Sequence, residues 1–159
     1  MYFWRDSYFM STETKPRQPA PAMNKVAKFI LSSPLHFLFS KHLMLLTFKG
    51  RKSGKLFTTP IGYQQQGESV ICFTDHHWWK NLVADPEVTL RLRGRVLTGR
   101  AETVHGNEET ARELAIYIGR SPMLARAFNI EVDAQKQPVP ESFQRVAAAS
   151  TLIRIHLNA

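Results

Sequence analysis

Lys49, Arg51, Lys52 and Lys55 crowd around Gly50 and Gly54 in the stretch KGRKSGK. That chemistry suits an anion. An arginine offers a planar fork of donors, lysines offer point charges, and glycines permit the tight backbone path that exposes N–H groups. Ser53 adds a hydroxyl. Thr58, Thr59 and Pro60 follow on a segment of β-forming residues, and one of the two threonines should face the side of the turn. The stretch is not a nucleotide-hydrolysing P-loop. It has one residue too few between Gly50 and Gly54, and Leu56 stands where Mg²⁺ needs a hydroxyl. The segment after it also reads as a strand, whereas a P-loop leads into a helix.

The second group of residues is HHWWKNL, 76 to 82. Trp78 and Trp79 are flat and apolar, Lys80 is a further cation, and Asn81 carries an amide. Adjacent helical side chains point about 100° apart, so at most one indole can face a given pocket. Tyr63 has a hydroxyl that either donates to a reduced oxygen or belongs to an ordinary strand tyrosine. His76 and His77 diverge, with no acidic or thiol partner at ligand spacing, so no metal site is expected. Cys72 is the single cysteine, which excludes an internal disulfide; it reads as a small core residue. No acid–base pair stands out.

Charge sharpens the first reading. The 159 residues hold 21 Lys and Arg against 13 Asp and Glu, a net charge of +8. The whole excess falls within the first 55 residues, where ten cations meet two anions. That points either to a local anion partner, such as a phosphate-bearing ligand, an acidic membrane surface or nucleic acid, or to a charge excess that only solubilises. Nucleic acid is the least favoured, because no RNA-binding or OB-fold signature accompanies the charge. No apolar run nears the ~18 residues of a membrane-spanning helix, and the aromatic start MYFWRDSYFM lacks the features of a secretory signal. A cytoplasmic protein is the simplest expectation.

These groups need positioning elements. Residues 1–22 are polar and proline-rich and read as a disordered leader. Residues 23–159 read as one domain, entered by a basic amphipathic helix over 24–42, a candidate for peripheral membrane contact. Strands are expected at 43–48, 56–66, 69–75, 88–94, 95–104 and 151–157. Val88, Leu90 and Leu92 alternate with Thr89, Arg91 and Arg93. Helices are expected over HHWWKNLVADP, from a cap at Asn107 to Gly119, and at PMLARAFNI and ESFQRVAAAS. Six strands joined mostly by short turns predict a mainly β, α+β fold, a six-stranded antiparallel barrel with peripheral helices. Arg91, Arg93, Arg95 and Arg100 decorate one hairpin, as a solvated face first, or else an interface or a second contact for an acidic tail.

The order GRKSGK, TTP, an apolar strand, WWKNL, then DPEVTLRLRGR resembles the deazaflavin-dependent nitroreductase family, within the split β-barrel flavin and deazaflavin oxidoreductases. The resemblance runs from about Leu43 to Val104 and more loosely to TLIRIHL. It implies a split β-barrel, a homodimer, and a coenzyme of the 8-hydroxy-5-deazaflavin type with an acidic, phosphorylated tail. Arg51, Lys52, Ser53 and Gly54 would meet that tail. Thr58, Thr59 and Pro60 would line the ring, and Trp78, Trp79, Lys80 and Asn81 would stand near ring and substrate. Tyr63 is no part of the resemblance; its hydroxyl alone makes it the substrate candidate. Where many relatives carry Ser-Lys-Gly-Gly this chain has TDHH, and Leu56-Phe57 replaces their Pro-Arg. The activity implied is hydride transfer from reduced deazaflavin to a quinone or similar flat acceptor. The alternative is a non-catalytic barrel holding FMN, haem or a lipid.

Overall fold

The computed structural model describes residues 41–120 and 122–159. The expected leader and the helix over 24–42 therefore lie outside the described residues, save for Lys41 and His42. Seven strands follow: β1 (Leu43–Lys49), β2 (Leu56–Gly62), β3 (Gln64–Gln66), β4 (Ser69–Thr74), β5 (Glu87–Leu92), β6 (Arg95–His105) and β7 (Thr151–Leu157). They form one sheet in the order β2-β1-β5-β6-β7-β4-β3, and every neighbouring pair is antiparallel.

The mainly β architecture matches the expectation, but the strand count is seven. The expected strand 56–66 is two strands. Residues 56–62 pair with β1 at one edge of the sheet, and residues 64–66 pair with β4 at the other. Tyr63 is the corner between them, its N–H donating to the His42 carbonyl at 3.1 Å. The chain itself thus joins the two edges and curls the sheet into a barrel. Pro60, which has no N–H to donate, sits on β2, an edge strand, as its chemistry requires.

Alternation divides the side chains between two cores. Met44, Leu46 and Phe48 of β1, Val88, Leu90 and Leu92 of β5, and Ile153 and Ile155 of β7 point into the barrel. Val70 and Cys72 join them from β4, and burial pushes the Cys72 thiol pKa up. The opposite face of β4 and β7 presents Ile71, Phe73 and Leu152 to a helical layer. That layer comprises α2 (Glu108–Ile118), α3 (Pro122–Ala127) and α4 (Pro140–Ala149). Phe73, Tyr117 and Phe128 form its aromatic centre, with ring centroids 5.5 to 6.1 Å apart. Burial there raises the Tyr117 phenol to about 12.

The Asn107 cap is present: its side-chain oxygen accepts from the Thr110 N–H at 3.0 Å. Helix α2 is also pinned from below. Arg154 on β7 donates to Glu109 at 2.9 Å and lies 4.0 Å from both Glu102 and Glu113. Only 22% of its side chain is exposed. Arg154→Leu leaves Glu109 and the half-buried Glu113 without their cation. A loss of about 1.5–3 kcal/mol is expected, the range for hydrogen bonds to charged groups, read as a lower urea midpoint.

Candidate functional site

The antiparallel registers fix which groups meet. Thr47 opposes both Thr58 and Thr89, so the β1–β2 turn and the Glu87 end of β5 share one end of the barrel. Thr74 opposes Thr151, and Thr151 opposes His105, so β4 delivers its chain to that same end. There it forms a 3-10 turn (His77–Trp79) and then α1 (Lys80–Ala84). The basic turn, the tryptophans and His105 are thus gathered at one rim.

Gly54 takes a left-handed backbone, φ +67°, and its N–H donates to the Gly50 carbonyl at 2.8 Å. Gly50 donates to the Lys55 carbonyl at 2.8 Å, closing the loop. A Cβ at Gly50 would meet the Phe57 ring at 2.5 Å, so only glycine lets the turn lie on that ring. Ser53 Oγ accepts from the Lys55 N–H at 3.3 Å and keeps its own hydrogen to donate. Lys49, Arg51, Lys52 and Lys55 are all exposed. Among the described residues no carboxylate lies within ion-pair distance of Lys49, Lys52, Lys55 or Lys80.

The turn is tied to the tryptophan segment twice. Below it, Phe57 stacks on Phe48 at 6.1 Å, and Phe48 stacks on Trp78 at 5.0 Å with planes 14° apart. Above it stands Asn81. Its Oδ1 accepts from the Arg51 backbone N–H at 3.0 Å and from Arg51 Nη1 at 3.4 Å. Its Nδ2 donates to the Trp78 carbonyl at 2.9 Å.

The two indoles part, as adjacent helical residues must. Trp78 enters the barrel core and is 6% exposed, and its buried indole N–H has no acceptor among the described residues. Trp79 lies half-buried over the rim, stacked on His105 at 5.3 Å and 17°. Only Trp79 offers a surface. His105 in turn shares a 2.7 Å hydrogen bond with the Thr151 hydroxyl.

Thr58, Thr59 and Pro60 are half-buried along β2. Thr58 shares a 2.8 Å hydrogen bond with Thr47 across the β1–β2 ladder, while Thr59 donates to the Pro60 carbonyl at 3.4 Å. Tyr63, expected at the substrate, is 4% exposed and lies in the barrel core. Arg91, Arg93 and Arg95 flank the β5–β6 turn at the far end of the barrel, because β5 runs antiparallel to β1. Their use as a second contact for a ligand on the basic turn is overturned by that register. Arg100 lies nearer but is paired with Glu87 at 3.0 Å. His76 contacts Asp75 at 3.3 Å. A groove of about 430 Å³ opens between α1 and β6, lined by Leu82, Val83, Arg100 and Glu102 among others and by none of the basic turn.

Sequence reasoning missed Phe48, Phe57 and His105. The first two were signalled by their equal spacing about the turn, since each opposes the other in the β1–β2 register.

Comparison with known proteins follows the same lines. Residues 34–133 match the family described as F420H(2)-dependent quinone reductase. No curated protein matches the chain significantly. Among solved structures, the chain resembles Rv2991, a conserved hypothetical protein of Mycobacterium tuberculosis, at 19% identity and TM-score 0.52. That match covers 92% of this chain and 87% of the other. Atu2129, of unknown function, from Agrobacterium tumefaciens, matches at 19% identity and TM-score 0.52, covering 92% of this chain and 58% of that one. A reductase described as F420-H2 dependent, FDR-A, matches at 18% identity and TM-score 0.49, over 72% and 94%. At these identities Rv2991 and Atu2129 speak for the fold alone.

Proposed function

This chain belongs to the F420H(2)-dependent quinone reductase family, and from that membership we propose that its basic turn, α1 and β2 hold the reduced deazaflavin against a flat quinone-type acceptor. The protein is a deazaflavin-dependent oxidoreductase. The coenzyme, when bound, supplies the hydride.

The residues fit the anionic end of such a molecule. Lys49, Lys52, Lys55 and Lys80 are cations without carboxylate partners among the described residues. The Ser53 hydroxyl adds a neutral donor. Thr58, Thr59 and Pro60 leave a partly open strand surface, and Trp79 a partly open indole, for flat groups. The chain's tasks are to bind, to orient and to exclude water. The observation that carries the reading is the double tie, Asn81 above and the Phe57–Phe48–Trp78 stack below, which sets the cations and the tryptophan rim in one frame.

Titration with oxidised and reduced F420 and with FMN, followed by a quinone-reduction assay, tests this. Micromolar binding of the deazaflavin and turnover with a quinone are expected, with FMN weaker; binding of neither would sink the reading.

A homodimer and a lipid contact through residues 24–42 belong to the same proposal. Among the described residues no helix is long and apolar enough to cross a membrane. Sedimentation and flotation with anionic vesicles check the two points.

A further inference from the structure

We infer that Asn81 is a positioning residue, a clasp that fixes the distance between the anion-binding turn and the tryptophan rim, and that it gives its hydrogen bonds to the protein and none to the coenzyme. The inference rests on the proposed seat of the coenzyme, but its geometry does not.

Asn81 is 30 residues from Arg51 in sequence and is the described hydrogen-bonding link between the turn and α1. An asparagine amide has one carbonyl oxygen and one NH₂ group. Here the oxygen is taken by two Arg51 donors, at 3.0 and 3.4 Å. The NH₂ group is turned to the Trp78 carbonyl at 2.9 Å. The oxygen so occupied has no lone pair left for a ligand, and of the amide's two hydrogens one is committed to Trp78. What it does instead is hold two backbones together. The Arg51 N–H is one of the turn's donors, and the Trp78 carbonyl belongs to the segment that presents Trp79.

The clasp and the aromatic stack reach the turn at different residues, Arg51 and Gly50. Gly50 lies directly on Phe57, and Phe57 reaches Trp78 through Phe48. Stacked rings resist approach but permit sliding. The Asn81 bridge supplies the direction that the stack lacks. Together they make the turn a preorganised donor set, which reduces the ordering cost a long ligand otherwise meets on binding.

A ligand that must touch both the cations and the rim is therefore selected by the span between its charge and its ring. A ring without the charged tail needs only the rim, and gains nothing from the clasp. This contrast separates a positioning role from direct contact.

The test uses the full chain, Asn81→Ala and Asn81→Asp. Without any ligand, amide hydrogen exchange at Arg51 is expected to quicken at least tenfold in Asn81→Ala, which removes the acceptor. It stays slow in Asn81→Asp, which keeps an oxygen there. Dissociation constants are then measured for intact F420 and for its ribityl-deazaflavin fragment lacking phosphate and tail. Asn81→Ala should weaken F420 about tenfold and the fragment less than twofold. Equal weakening of both would assign Asn81 to the ring and overturn the inference, as would unchanged Arg51 exchange. If wild-type protein binds neither compound, the proposed function fails, while the exchange result still decides whether Asn81 holds the turn.

Discussion

Replacing Arg51 and Lys52 together by alanine is expected to weaken F420 binding by about two orders of magnitude. Both side chains are exposed on the turn that Asn81 anchors. A hydrogen bond to a charged group contributes about 1.5–3 kcal/mol, and exposure puts these at the low end. Two such contacts total about 3 kcal/mol, or roughly 100-fold in the dissociation constant. The loss should shrink as salt rises, because exposed charges are screened. Arg91→Ala with Arg95→Ala removes as much charge from the opposite end of the barrel and serves as the control. Isothermal titration at two salt concentrations reads all of this. Equal losses in both double variants would mean that only net charge matters and that the turn is no site.

The second large effect concerns Trp78. Its ring is 6% exposed and stacked on Phe48 at 5.0 Å. Trp78→Ala opens a cavity at the top of the barrel, and large-to-small changes of this kind cost about 3–5 kcal/mol. For a chain of this length each kcal/mol lowers the melting temperature by about 2–4 °C, so a fall of roughly 6–20 °C is expected. Trp78→Phe should cost much less. It keeps a ring on Phe48 and removes a buried N–H that has no acceptor among the described residues, a group whose burial is itself unfavourable by about 1–3 kcal/mol. A phenylalanine variant as unstable as the alanine one would show that the indole nitrogen, not the ring, stabilises the rim.

Much of this arrangement was legible in the sequence, and the exceptions have physical causes. The strict alternation of Val88 to Leu92 declared both the strand and its inward face, and the structure follows it. Asn107 announced the start of α2 through capping chemistry that is local by nature. The break at Tyr63 carries no such signal. The segment LFTTPIGYQQQ contains no turn-forming pair there, and only the pairing of its halves with opposite edges reveals the corner. Similarly, charge alone left a second ligand contact open among the readings of the hairpin arginines, beside a solvated face and an interface. Register decides otherwise, and register between β1 and β5 is a long-range property. Spacing predicted that the two tryptophans diverge, but which of them enters the core depends on Phe48, thirty residues earlier. The role of Asn81 lies beyond any local pattern, since its partner is equally distant.

The corner at Tyr63 has a topological consequence. A backbone cut between Gly62 and Gln64 would leave all six ladders intact, yet the two margins of the sheet would lose their covalent join. A protease nick at one peptide would leave the cylinder closed only by the core that both margins share, without breaking a single interstrand bond.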